Sequence, residues 1–286
     1  MLYRDKTEWQ EAPAKRVALF GMSGLGKTHV SRLLRAGGDW FHYSVDFRIG
    51  TRYMGEHIVD NFKREAMRNP FLRELLMEDS IYIASNISFE NLAPLSTYLG
   101  KPGDPARGGI PFEEYVTRQR QHRAAEIAAT RDTALFAAKA AQIYGYAHFV
   151  ADSSGSLCEV VDPDDPQDPV LTTLSATALP VWIEGADSHI DVLADRFSRA
   201  PKPMYYEEGF LRQIWAQYTD IHGVAAGSVD PDHFIRWGYR QLLNRRLPIY
   251  RKMAENWGLA VPADAMAGVR DPHDFVALVA ERLANR

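Results

Sequence analysis

The sequence predicts an α/β fold, a parallel sheet sandwiched between two helical layers and enlarged by helical insertions. Three observations predict it. An apolar run of strand length, Val17 to Phe20, feeds directly into the glycine-rich stretch Gly21-Met22-Ser23-Gly24-Leu25-Gly26-Lys27-Thr28, and a helical pattern follows. Further apolar runs of strand length recur down the chain, separated by helical stretches, which is the pattern of a parallel sheet. Between the second and third of these runs lies far more helical sequence than a simple crossover needs.

The first element is the most informative. The stretch from Gly21 to Thr28 reads G-x-x-x-x-G-K-T, the phosphate-binding loop or Walker A pattern. Glycines allow successive backbone N–H groups to turn inward around a polyphosphate. The N-terminus of the following helix adds its partial positive charge. Lys27 is placed to reach β- and γ-phosphates and Thr28 to hold Mg²⁺. The nucleotide-binding set is therefore Gly21, Met22, Ser23, Gly24, Leu25, Gly26, Lys27, Thr28 and the adjoining His29. Val30, Leu33 and Leu34 form one buried face of the helix, and Gly37-Gly38 stops it.

Composition bounds the alternatives. The chain has 286 residues, 46% apolar and 24% charged, enough for one substantial core. A net charge of −4 does not make the whole surface attractive to nucleic acid or an anionic membrane. A single cysteine, Cys158, allows no internal disulfide and fits a reducing cytoplasm. No apolar run is long enough to span a membrane, and the polar segment from Met1 to Lys15 does not read as a signal peptide.

The run from Trp40 to Arg48 reads as the second strand, with Asp46 near its C-terminal end, where ligands gather in open parallel sheets. Phe71, Leu72, Leu75 and Leu76 then form a short amphipathic helical face. Ile81 to Ala84 is ambiguous between strand and helix. Lys101 to Pro111, rich in proline and glycine, is a loop. A long helix is expected from Phe112 to Tyr144, with Tyr115, Val116, Ile127, Leu135, Phe136 and Ile143 packing. The next strand, Ala147 to Asp152, ends in Asp152-Ser153-Ser154-Gly155-Ser156. Asp152 there suits a metal-organising or base carboxylate, and Ser153 an anion donor, unless the segment is an ordinary Asx/Ser turn. Asp162 to Asp168 reads as a solvated acidic loop, with a metal site as the alternative.

Val181 to Glu184 is a further strand. Asp187 can cap a helix whose Ile190, Leu193, Ala194 and Phe197 share a face. Glu207 to Asn244 is helical. Arg236, Arg240, Arg245, Arg246, Arg251 and Lys252 make a local basic cluster, suited to phosphates, a carboxylated substrate, RNA or simply solvent. Leu259 to Val261 is a last short strand, and Asp271-Pro272 starts a final helix with Phe275, Leu278, Val279 and Leu283 inward.

In this order of elements the chain resembles the P-loop small-molecule kinases, and among them the shikimate kinase-like and nucleotide kinase group. Four segments carry the resemblance: Gly21 to Thr28; Asp46-Phe47-Arg48-Ile49 through Gly55; Arg196 through Lys202-Pro203-Met204; and Arg246-Leu247-Pro248-Ile249-Tyr250. The resemblance implies a P-loop NTPase fold, Mg²⁺ and ATP as cofactors, and a small-molecule acceptor. By it, Asp46 contacts the acceptor hydroxyl, Arg246 holds an acceptor carboxylate, Arg196 lies against adenine, and Lys202 stands where the family has a lid arginine. Ser44 replaces an aspartate that helps hold Mg²⁺, and Asp152 to Ser156 occupies the place of a three-glycine turn. Residues 56–145 and 205–245 exceed the family's length and read as helical insertions, the first on the acceptor side and the second near the lid, in one domain of residues 1–286.

The expected activity is thus ATP-dependent phosphotransfer to a small anionic hydroxyl compound. Catalytic candidates are Lys27, Asp46, Asp152 and Lys202; substrate candidates are Asp46, Arg48, Ser153 and Arg246; metal candidates are Thr28 and Asp152. The alternatives are an ATP-hydrolysing switch with a protein partner, and RNA binding through the basic cluster.

Overall fold

The structure is a computed structural model that describes residues 2–285; the side chains of Asp187, Ser188 and Ile190 lie outside that description. The chain opens with α1 (Lys6–Glu11), β1 (Arg16–Phe20), α2 (Lys27–Ala36) and β2 (Trp40–Ser44). A single turn α3 (Val45–Arg48), a wider π turn (Ile49–Tyr53), α4 (Gly55–Ala66), α5 (Pro70–Met77), α6 (Ala93–Leu99) and the long α7 (Phe112–Gln142) follow. Then come β3 (His148–Asp152), α8 (Pro169–Thr177), β4 (Leu179–Glu184), α9 (Asp187–Arg199), α10 (Glu208–His222) and α11 (Pro231–Trp257). The chain closes with β5 (Leu259–Pro262), α12 (Ala263–Ala267) and α13 (Pro272–Ala284).

The five strands form one sheet in the order β2-β3-β1-β4-β5. Every neighbouring pair is parallel. The expected α/β fold with a parallel sheet is therefore present. The central strand β1 is apolar because it is covered on both faces: Val17, Ala18, Leu19 and Phe20 are all 0% exposed. Val30 and Leu34 of α2, and Phe275, Val279 and Leu283 of α13, join the same core, as expected from their spacing. Trp9 on α1 is also fully buried there, and its indole N–H donates to the Val276 carbonyl.

The described residues group into two compact units. The first comprises 2–45, 126–200 and 236–285 and contains the sheet; the second comprises 46–125 and 201–235 and is helical and irregular.

Several boundaries differ from expectation. Strand β2 stops at Ser44, which pairs with the last residue of β3, Asp152. Beyond that point no neighbouring strand remains, so the chain coils, and Asp46 sits on α3 rather than in a strand. Ile81 to Ala84 forms neither strand nor helix. On α7, Tyr115 and Val116 are buried, but Leu135 is exposed, as is Ile143 just past the helix end. In the first unit the inward residues of α7 beyond the buried Glu126 are mostly small, among them Ala129, Ala137 and Ala140. Phe136 lies between them and stacks on Tyr43, ring centroids 4.8 Å apart. The expected helical run Glu207–Asn244 is two helices, broken at Gly223 (φ 59°) and restarted at Pro231, where the Asp230 carboxylate accepts from the Asp232 and His233 amides at the new N-terminus. The capping role of Asp187 and the packing of Ile190 fall outside the described residues; Leu193, Ala194 and Phe197 are buried.

Candidate functional site

The site is built at the C-terminal end of β1, where the chain must turn sharply before α2. Gly21 makes that turn at φ 131°, with Ile183 O only 2.9 Å from where a Cβ would stand, so no other residue fits. Gly26 caps α2 in the left-handed region at φ 97°. Between them the N–H groups of Ser23 and Gly24 donate to no backbone carbonyl among the described residues. A loop with unspent amides ahead of a helix N-terminus is a fitting cradle for an anion. Lys27 is 6% exposed, and its ammonium donates to Gly21 O at 2.8 Å and Met22 O at 3.0 Å. The cation is thus carried over the loop rather than projecting into solvent. Thr28 and His29 are exposed.

The neighbouring strand ends in a carboxylate. Asp152 ends β3 opposite Leu19 of β1 and is 6% exposed. Its Oδ2 lies 3.8 Å from His42 Nε2 on β2. The chain leaves β3 by a Ser153 N–H bond to Leu19 O at 3.0 Å. The Ser153 hydroxyl is buried and finds no hydrogen-bond partner among the described residues. Such an orphan is costly unless a ligand or water satisfies it. Thr28 and Asp152 offer oxygen only, the donor type Mg²⁺ selects, and two protein oxygens suffice when phosphates and water complete the shell. Among the described residues no three His, Cys, Asp or Glu side chains converge as a closed metal cage.

Arg196 on α9 is brought to the same loop: its Nη1 lies 3.9 Å from the Cβ position of Gly24. Arg246, expected as a carboxylate clamp, stands on α11. It is 4% exposed, with Nε bonded to Glu159 Oε1 at 3.1 Å and Nη1 to Gly155 O at 2.8 Å. Burial alone would lower its pKa, but Glu159 and its neighbours raise it instead, so it stays charged. The guanidinium is thus held by a buried carboxylate and a backbone carbonyl of the first unit. Asp46, Arg48 and Lys202 belong to the second unit. Asp46 and Arg48 share α3, where Arg48 lies 5.6 Å over the Tyr53 ring. Lys202 is exposed in a stretch without regular structure.

The other basic residues are largely answered as well. Arg245 joins Arg246 on Glu159, Arg236 donates to Ser198 O, and Lys252 pairs with Asp164. The acidic loop is consumed locally: Asp168 caps α8 through the Val170 and Leu171 amides, and Asp162 and Asp165 accept from amides two residues on. It is a turn and a cap, not a metal site.

Sequence reasoning missed Glu159, fully buried between two arginines. Its signal was a single acid inside the apolar run Leu157-Cys158-Glu159-Val160-Val161. It gave no role to Tyr250, which it quoted only as the end of the Arg246 to Tyr250 segment and whose spacing from Arg246 puts both on one helix face.

A parallel five-stranded sheet with a Gly21–Thr28 loop between its central strand and the next helix defines the P-loop NTPase fold. No protein-family model and no curated protein matches the chain. Among solved structures it is similar to a shikimate kinase from Bacteroides thetaiotaomicron, at 15% identity and a TM-score of 0.39, over 95% of this chain and 97% of that one. Likeness at that level carries no argument about activity, so function rests on the site. No helix among the described residues is long and apolar enough to cross a membrane.

Proposed function

We propose that the chain is an ATP-dependent phosphotransferase that uses Mg²⁺ and acts on a small, anionic, hydroxyl-bearing molecule in the cytoplasm. The observation that carries this reading is the pairing of a lysine-carrying amide cradle with a buried carboxylate on the adjacent strand. Phosphoryl transfer asks for positioning and charge neutralisation rather than covalent catalysis. The amides of residues 22–26 and the Lys27 ammonium would hold the donor phosphates. Thr28 and Asp152 would hold Mg²⁺, which when bound neutralises charge on the transferring group. The orphaned Ser153 hydroxyl would donate to an oxygen of the bound anion. Arg196 would close on the nucleotide. To Asp46 the proposal gives the acceptor hydroxyl, to Arg48 the acceptor's negative charge, and to Lys202 charge developing in transfer.

The test is ADP release from Mg-ATP, alone and with a panel of sugar acids, nucleosides and hydroxy acids, beside Lys27→Ala. Acceptor-stimulated release that falls by roughly 100-fold or more in Lys27→Ala is the expected result. Steady hydrolysis indifferent to every acceptor would overturn phosphotransfer in favour of a hydrolytic switch. Absence of nucleotide binding would overturn both.

A further inference from the structure

We infer that Arg246 and Tyr250 are positioning residues: they clamp the carbonyl of Gly155 and so press the loop after β3 against Ser23 of the phosphate-binding loop. The inference rests on the reading of Gly21–Thr28 as a nucleotide site for its functional meaning, though not for its mechanical content.

Arg246 and Tyr250 lie four residues apart on α11, so their side chains leave the helix on the same face. Both end on one atom. Arg246 Nη1 donates to Gly155 O at 2.8 Å and the Tyr250 hydroxyl donates to it at 2.6 Å. Two donors use both lone pairs of that carbonyl and fix its direction. Tyr250 is 0% exposed, and burial holds its phenol well above the usual range, so it remains a donor. Its ring is set by Phe20 at the end of β1, centroids 6.1 Å apart, and by Trp182 on β4, at 6.4 Å. The same loop is held at its next residue: Ser156 Oγ donates to Glu126 Oε2 at 2.7 Å and pairs with Ser154 Oγ at 2.8 Å.

The other side of Gly155 shows what the clamp is for. A Cβ on Gly155 would stand 2.2 Å from Ser23 Oγ and 3.2 Å from the Ser23 backbone nitrogen. The two loops therefore touch with nothing between them, at an amide of the cradle itself. Holding the Gly155 carbonyl from behind holds Ser23 in front. A site of this kind needs its donors fixed to within a fraction of an ångström, and a supporting layer is what fixes them.

Two variants test it. Tyr250→Phe removes one donor and keeps the ring; Gly155→Ala drives a methyl group into Ser23 from the opposite side. Tyr218→Phe, which removes a hydroxyl bonded to His233 in the second unit, is the control. We expect hydrogen exchange, measured without nucleotide, to rise in peptides covering 21–28 and 152–158 in both variants and not in the control. We expect each to weaken Mg-ATP binding about tenfold, the size of one buried hydrogen bond. The double variant should weaken binding by less than the product of the single effects. A purely structural tyrosine would lower the melting temperature and leave exchange at 21–28 and nucleotide affinity of the folded protein unchanged; that result overturns the inference. If the wild type binds no nucleotide, the proposed function fails, and the exchange data alone still decide whether the clamp exists.

Discussion

Helices α5 and α13 begin with the same local grammar and end in opposite environments. Each has proline as its first residue and an amide or acid side chain as its cap: Asn69 accepts from Phe71 and Leu72, and Asp271 accepts from Asp274. Each carries apolar residues at helical spacing. Yet α13 buries Phe275, Val279, Ala280 and Leu283, while α5 buries none of its residues, and Phe71 is 66% exposed. The difference teaches that caps and periodicity determine that a helix forms, whereas burial depends on what stands opposite. For α13 that partner is the sheet core. The face predicted for Phe71, Leu72, Leu75 and Leu76 exists, but within the second unit nothing covers it fully.

The comparison can be broken or sharpened by measurement. The largest expected effect is Phe275→Ala, which should destabilise the first unit by about 3–5 kcal/mol through a cavity in a core that has no free surface; chemical denaturation reads it. Removing the caps, Asp271→Ala and Asn69→Ala, should cost about 1 kcal/mol each, because capping is local and indifferent to burial. If the Asn69 change proves neutral, the two helices differ in formation as well as in environment. Phe71→Ala should change stability by no more than about 0.5 kcal/mol, since little surface is removed from water.

Two titrations extend the contrast between interior and surface. Cys158 is fully buried in the first unit, and burial pushes its thiol up to about 12 from 9.0. A raised thiol pKa means the folded state disfavours the thiolate, so this contribution is whole below pH 9.0 and is lost as pH rises towards about 12. Thiol reagents at pH 8 should therefore leave Cys158 untouched until the protein is unfolded. In the second unit the Arg120 and Arg212 guanidiniums hold Glu208 down to about 2 from 4.5. Its contribution is present above pH 4.5 and is lost as pH falls through about 2. Because the carboxylate is at the surface, the expected effect on stability is small. Carboxyl titration followed by NMR should give the depressed midpoint directly.

The first unit was largely legible in the sequence. Its strands are short apolar runs, its loop is a spaced motif, and α13 carries both cap and stripe, so local signals and tertiary outcome agree. The positions of the Gly21–Thr28 loop and of Asp152 were legible for the same reason: each sits at a strand end. The second unit was legible only as helix, since its irregular stretch at Ile81 to Ala84 follows no period. The placement of Arg246 was illegible because a basic side chain reads alike whether it faces an acceptor or a buried acid. Only the fold brings Glu159 to it across 87 residues of chain. The inward face of the C-terminal half of α7 escaped because alanines and threonines carry little hydrophobic signal, while Leu135, and Ile143 just past the helix end, which carry much, are exposed.

The order of strands in the sheet has a consequence for how the chain comes off the ribosome. Strand β1 is made early, but its two neighbours are β3, residues 148–152, and β4, residues 179–184. β2, the next strand synthesised, never touches it. Until roughly half the protein has been made, the central strand of the core has no partner, and parallel pairings that wait on distant sequence form slowly. A nascent chain stopped before residue 148 would hold the glycine-rich loop complete in sequence and without the β-sheet that gives it shape.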